Sequence, residues 1–179
     1  MVAKVKNVKV IRRKKLSCKE KKEMLSRDKS NNKPFKRINI VSIKMIRESS
    51  ILYNIRKICE PRDIVDLGKK FLDELDREEL IVACLNSKNE INSVNVVSVG
   101  SLSSSIVHPR EVFKTAILSN AASIVMFHNH PSGDITPSKE DKEITLRIKE
   151  SGIILGICLL DHIIIGDDKY YSFKEHNEV

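Results

Sequence analysis

SIVMFHNHPSGDITPSKED, residues 123–141, combines an apolar strand, a turn-forming loop and the start of a helix in one short stretch. The apolar run at residues 123–127 predicts a buried strand. Residues 129–137 contain two prolines and a glycine, which predicts a loop that reverses the chain. Residues 139–150 are rich in charge and are predicted to form a helix.

Outward from this stretch, predicted helices and strands are interspersed along the chain. Helices are predicted in IVDLGKKFLDEL after Pro61 and in REVFKTAILSNAA after Pro109. Strands are predicted at residues 38–46 (a strand or an extended lead-in), 80–85, 94–99, within 153–165, and at 170–173. This mixture predicts an α/β or α+β fold in which helices cover a central sheet.

Charge is distributed unevenly along the chain. The 179 residues include 32 Lys+Arg and 24 Asp+Glu, for a formal charge of +8, but residues 1–37 alone hold 15 basic and 3 acidic residues. We therefore predict a basic, flexible arm over residues 1–37 and a folded domain over residues 38–179. The arm is suited either to contact nucleic acid or another polyanion, or only to aid solubility, and its composition leaves both interpretations open.

Composition excludes several classes of protein. The absence of Trp and the 4% aromatic content argue against a groove that binds nucleic acid by stacking. No run of about 18 apolar residues is present, and no apolar segment follows the basic start, so neither a membrane span nor a secretory signal is predicted. The four cysteines form no CxxC pair, which argues against a zinc ribbon or a dense disulfide scaffold. The expected setting is a reducing cytoplasm.

The candidate chemistry lies in the quoted stretch. His128 and His130 are two residues apart at the end of a strand, so their rings are expected on one side of the sheet. Asp141 follows in the first turn of the next helix. Two imidazoles and one carboxylate are the ligand set of a catalytic zinc with a fourth position open to water, and we predict one zinc ion per chain.

A structural interpretation of the same residues competes with the metal site. Ser138-x-x-Asp141 is also a helix-capping pattern, with Ser at the N-cap and a carboxylate three residues later. Both residues could serve only to begin the helix. The two roles are compatible if Ser138 caps the helix while Asp141 turns inward.

The spacing of His128, His130, Ser138 and Asp141 resembles the JAMM metal-binding motif of JAB/MPN domains. The flanking segments GSLSSSIVHPREVFKTAILSNAA and LLDHIIIG make the chain similar to the RadC-like branch of that family. The resemblance implies a cytidine-deaminase-like fold, a curved mixed sheet flanked by helices with zinc at one edge. It further implies that the His and Asp residues bind zinc, that Ser138 supports the transition-state oxygen, and that an upstream Glu acts as general acid/base. Family members of known chemistry are peptidases or isopeptidases.

In the family that this chain resembles, that glutamate lies at the start of the strand that runs into a turn, here residues 85–89. Counting back from the turn at residues 85–89 to the start of the preceding strand favours Glu78 over the adjacent Glu79. Both could also be surface charges. Glu111 is a third candidate, but its position after Pro109 suits the first turn of a helix. His162, inside an apolar run, is expected to be an ordinary half-buried histidine, or else a partner of a metal ligand.

Four functions remain from the sequence alone. The favoured one is a zinc-dependent hydrolase of a protein or peptide bond. The alternative is a DNA-associated RadC-like protein that binds through residues 1–37 or cuts DNA at the metal site. A nucleobase deaminase is disfavoured because its H-x-E…P-C-x-x-C signature is missing. An inactive interaction domain is disfavoured because all the metal ligands are present.

Overall fold

Residues 38–61, the described segment ahead of the first helix, contain no helix or strand. The computed structural model describes residues 38–72, 75–100 and 107–179, so the predicted basic arm lies outside the described residues. Residues 38–46 form no strand, and Ile40 is 91% exposed. The strand alternative for this segment is therefore wrong, because alternation produces a strand only where a neighbouring strand is available for pairing. The elements that follow lie within the unit Ile43–Val179.

Three helices and five strands make up the described part of that unit. In chain order they are α1 (Arg62–Leu72), β1 (Glu79–Leu85), β2 (Ile91–Val99), α2 (Pro109–Leu118), β3 (Ser123–Asn129), α3 (Lys139–Leu155), β4 (Cys158–Ile165) and β5 (Tyr170–Ser172). The strands form one sheet in the order β2-β1-β3-β4-β5. Only β3 and β4 pair in parallel, and α3 is the crossover between them. The predicted mixed α/β class is confirmed.

Apolar side chains cover both faces of the sheet. One face packs against α1, and Gly68 lets that helix approach closely, since a Cβ there would lie 2.5 Å from Ile165 Cδ1. The other face packs against α2 and α3 through Phe113, Met126 and Ile148, among others. The sheet is therefore the middle of three layers. No helix within the described ranges has the length and apolarity needed to cross a membrane.

Helix α3 is longer than predicted. It continues through the apolar residues 153–155 and ends at Gly156, whose φ of 69° is the left-handed conformation of a helix cap. The strand predicted within residues 153–165 is confirmed as β4, but it begins only at Cys158. Residues 153–155 belong to the helix, because a short apolar run does not distinguish a helix from a strand. The buried face of α3 consists of Asp141, Thr145, Ile148 and Gly152.

Candidate metal centre

Three potential metal ligands converge where β3 ends and α3 begins. His128 and Asp141 are buried, with 0% and 1% of their surface exposed, and His130 is half-buried. His128 Nε2 lies 3.0 Å from His130 Nε2 and 3.2 Å from Asp141 Oδ1. His130 Nε2 lies 3.6 Å from Asp141 Oδ2. The structure thus brings together the three ligands predicted from the sequence.

The spacing of these atoms suits a small tetrahedral cation. Zinc binds imidazole nitrogen and carboxylate oxygen at about 2.0–2.2 Å, so neighbouring ligands around a tetrahedral ion lie about 3.3–3.6 Å apart. The two imidazole nitrogens are 3.0 Å apart, and each faces a different oxygen of Asp141, at 3.2 and 3.6 Å. With one donor atom from each residue, the three atoms lie within 4.8 Å of one another, so the donor set suits zinc and the atoms are close enough to share one ion.

The loop after β3 orients His130. Gly133 adopts a φ of 74° and donates its N–H to the carbonyl of His130, which turns the chain back on itself. The ring of His130 then reaches the carbonyl of Asp134 through Nδ1. Because a carbonyl only accepts, Nδ1 carries the proton, and in the neutral ring the Nε2 lone pair faces the cluster.

Asp141 has two roles in the structure. Ser138 is the N-cap of α3, and its Oγ accepts from the N–H of Asp141 while the Asp141 carboxylate accepts from the N–H of Ser138, at 2.8 Å. The predicted capping pattern is therefore confirmed. The same carboxylate faces both histidines, so capping and inward orientation coexist as the sequence allowed.

Electrostatics at the cluster favour a charged carboxylate. Burial alone would raise the pKa of Asp141, but hydrogen bonds with His128, His130 and Ser138 outweigh it and hold that pKa well below its ordinary range. The bond to Asp141 raises the pKa of His130 against the effect of burial, and the charge of Glu78 adds to this rise. The cluster is thus an anionic ligand set that attracts either a proton or a metal ion.

Glu78 lies just ahead of β1, close enough for its charge to act on His130. Leu80, two residues later, pairs with His128 across the strands. The amide of Asn129 holds this segment in place: its Oδ1 accepts from Glu79 N–H at 2.8 Å, and its Nδ2 donates to Arg77 O at 3.0 Å. These bonds connect both neighbours of Glu78 to the residue between His128 and His130.

Glu111 lies elsewhere. It occupies the first turn of α2, and its carboxylate pairs with Lys114 at 2.5 Å and with Arg110. These contacts match the helix-start interpretation of this residue, and Glu111 is not part of the metal-ligand cluster.

His162 lies beneath the cluster on β4. It is 0% exposed, its Nε2 lies 2.9 Å from His128 Nδ1, and its Nδ1 lies 2.6 Å from Thr145 Oγ1. Burial lowers the pKa of His162 well below its ordinary value, so the ring is neutral. Of the two expectations for this residue, the partner of a metal ligand is the one observed. Thr145 was not predicted, although its position four residues after Asp141 places both on one face of α3.

This strand–loop–helix arrangement agrees with a comparison to known families. Residues 58–178 match the family model described as the RadC-like JAB domain. The chain belongs to the RadC-like JAB domain family. The resemblance inferred from the motif is thereby confirmed, and the five-stranded sheet with its three described helices is consistent with a JAB domain.

Relatives with the same domain occur in bacteria and archaea. The chain is 50% identical over 124 residues to a UPF0758 protein of Methanosarcina barkeri, a match that covers 69% of this chain and 54% of the relative. It is 52% identical over 132 residues to one of Clostridium beijerinckii (74% and 58%) and 48% identical over 141 residues to one of Rubrobacter xylanophilus (78% and 62%). The chain thus spans between 54% and 62% of the length of these relatives.

Proposed function

We propose that this RadC-like JAB domain is a zinc-dependent hydrolase that cleaves a peptide or isopeptide bond in a protein or peptide substrate. The observation that supports it best is the convergence of His128, His130 and Asp141, whose donor atoms lie within 4.8 Å of one another and are of the types that zinc prefers. A bound zinc ion lowers the pKa of a water molecule and polarises a carbonyl oxygen.

Glu78 is the proposed general base and acid. It lies just ahead of β1, which pairs with the strand that leads to His130, and its charge acts on His130. It accepts the proton of the attacking water and later donates it to the departing amine, which completes the proton balance of the hydrolysis. The hydrogen bonds of Asn129 to both neighbours of Glu78 support the precise placement that this transfer needs.

Ser138 is the proposed donor to the transition-state oxygen. Its hydroxyl donates to Asp141 Oδ2 at 2.6 Å. A serine has one hydroxyl proton, so Ser138 reaches the substrate oxygen only when that proton turns away from Asp141.

A cleft of about 280 Å³ opens beside His130 and provides room for substrate. Its walls combine apolar side chains with one cation and one anion, and they include Lys69, Leu72, Pro131, Ile165 and Asp167. A mixed lining of this kind suits a polypeptide segment, which carries apolar and polar groups together.

Metal content tests the centre directly. We expect elemental mass spectrometry of untagged protein to find about one zinc per chain, and the double variant His128→Ala/His130→Ala to carry none. A double variant that retained as much zinc as the wild type would contradict the ligand assignment.

The matched pair Glu78→Gln and Glu79→Gln tests the base. Both variants are expected to keep their zinc, but only Glu78→Gln should abolish cleavage of a panel of fluorogenic peptides and lysine isopeptides, by about 10²-fold or more. Equal activity of both variants, or loss of zinc from Glu78→Gln, would overturn the assignment.

A second candidate function rests on the basic segment at residues 1–37, with 15 basic and 3 acidic residues. We propose that it binds DNA through phosphate contacts. Affinity for a duplex should fall steeply between 50 and 200 mM salt. Replacement of Arg12, Arg13, Lys14 and Lys15 by Gln should weaken binding and flatten the salt dependence, and unchanged binding would exclude this role.

A further inference from the structure

The metal ligand His128 is hydrogen-bonded through its inner nitrogen to a second histidine, which is an uncommon partner. Metal-binding imidazoles usually donate their other N–H to a carboxylate, a carbonyl or water. Here the acceptor is His162 Nε2, 2.9 Å from His128 Nδ1, and both rings are 0% exposed. A neutral histidine accepts at Nε2 only when its own proton is on Nδ1, so His162 needs an acceptor of its own.

Thr145 is placed to be that acceptor. Its Oγ1 lies 2.6 Å from His162 Nδ1 and 2.6 Å from the backbone carbonyl of Asp141. The carbonyl only accepts, so the single hydroxyl proton goes to Asp141 and the lone pairs of Oγ1 are left for His162. A threonine hydroxyl can accept and donate at once, which neither a valine nor an alanine can do.

We propose that Thr145 and His162 are positioning residues. When a metal replaces the Nε2 proton through which His128 bonds Asp141, they hold the remaining proton of His128 on Nδ1 and leave Nε2 to the metal. This inference rests on the metal centre proposed above. With a metal on Nε2, His128 has its proton on Nδ1 and donates to His162; His162 donates to Thr145. Thr145 then donates to Asp141, so every proton in the series has an acceptor.

The series connects two of the three ligands through the protein interior. It begins at the side chain of His128 and ends at the backbone of Asp141, one helical turn before Thr145. The ring of His162 also stacks on Phe173, with centroids 4.9 Å apart and planes 11° apart, so packing fixes its orientation. The orientation of the His128 ring is therefore fixed by buried residues of the protein interior, on the side away from solvent.

Removal of the Thr145 hydroxyl should reverse the direction of these bonds. In Thr145→Val the Nδ1–H of His162 loses its buried acceptor, so the tautomer with the proton on Nε2 is favoured. That N–H would donate to His128 Nδ1 and place the proton of His128 on Nε2, where it competes with the metal. We expect zinc affinity to fall about 10- to 100-fold, the usual effect of losing a partner of a ligand.

Zinc affinity of the full chain, measured by competition with a chelator, tests this expectation in Thr145→Val and Thr145→Ser. Thr145→Ser keeps the hydroxyl and should bind zinc within a few-fold of the wild type. Ile148→Val is the matched control, because Ile148 lies on the same buried face of α3 but contacts neither histidine through a hydrogen bond. It should lower stability without changing zinc affinity.

Nitrogen-15 NMR of the imidazole rings provides a readout that general loss of stability does not change. In the zinc-loaded wild type, both His128 and His162 should show protonated Nδ1 and unprotonated Nε2. Protonated Nε2 on His162, or wild-type affinity in Thr145→Val, would overturn the positioning role while leaving the metal centre intact. A wild-type protein that takes up no zinc would instead overturn the proposed metal centre and, with it, this inference.

Discussion

Asn129 joins the segment of Glu78 to the end of β3, where the proposed ligands His128 and His130 lie. One amide side chain bonds the residue before Glu78 and the residue after it, and Asn129 itself lies between His128 and His130 in the sequence. Gly100 N–H adds a bond to the carbonyl of Glu78 at 2.8 Å. The proposed base and the two proposed histidine ligands are therefore connected by hydrogen bonds between the Asn129 side chain and the backbone on either side of Glu78.

Asn129→Ala tests this connection. The substitution leaves the N–H of Glu79 without its buried partner, so the free energy of unfolding should fall by about 1–3 kcal/mol. Denaturant unfolding of the metal-free protein measures the change. Asn92→Ala, at an exposed site on β2, should change it by less than about 0.5 kcal/mol, and equal effects of the two variants would contradict the proposed role of Asn129.

Ser138→Ala and Asp141→Asn should separate helix capping from metal binding. Loss of the N-cap hydroxyl is expected to cost about 0.5–2 kcal/mol of stability, with zinc retained. Asp141→Asn keeps an oxygen that can accept from Ser138 N–H but removes the negative charge that zinc needs. Loss of a residue that only hydrogen-bonds a metal ligand lowers affinity roughly 10- to 100-fold, and the zinc affinity of Asp141→Asn should fall by more than that. Retention of zinc by Asp141→Asn would exclude Asp141 as a ligand.

Zinc binding should depend on pH through His130. The bond to Asp141 raises the pKa of His130 above its ordinary 6.5, so a proton occupies the ring in the metal-free protein below that raised value. Zinc must displace this proton, and apparent affinity should therefore increase about tenfold per pH unit up to the raised pKa and less steeply above it. Chelator competition at pH 6, 7 and 8 measures this slope, and a flat profile would contradict it.

Gly152→Ala should destabilise the protein even though alanine favours helices. A Cβ at residue 152 would lie 2.4 Å from the backbone oxygen of Ile157, which cannot move without disturbing the start of β4. We expect a loss of about 1–3 kcal/mol in the free energy of unfolding. Glu150→Ala, two residues away and exposed, should be neutral within about 0.5 kcal/mol. A gain in stability for Gly152→Ala would show that the helix shifts freely.

The part of the site within residues 128–141 could be predicted from the sequence, whereas the contribution of His162, which is distant in the chain, could not. His128, His130, Ser138 and Asp141 are linked by a short loop, so their spacing limits where they can lie. His162 reaches the site only through the register of β3 and β4, and that register shifts between Ile124 and Val125. A shift of one residue exchanges the two faces of a strand, so counting along the chain could not assign the face of His162.

The structure of residues 38–46 and 153–155 could not be predicted from their pattern for a related reason. Their patterns suit a strand, but a strand also requires a partner. Residues 38–46 have no partner strand among the described residues. Residues 153–155 form the last turn of a helix that begins at Lys139. Local pattern identified apolar segments in both places, and the surrounding structure decided their form.

The shared role of Asp141 affects how sequences of this family should be compared. A descendant that no longer needed a metal would still need a residue to begin α3, so Ser138 and Asp141 would remain under selection for folding alone. His128 and His130 do not cap a helix, so they would be substituted before Ser138 and Asp141. Presence of the Ser–Asp pair in a distant sequence is thus weak evidence for an active member, and presence of both histidines is the more informative sign.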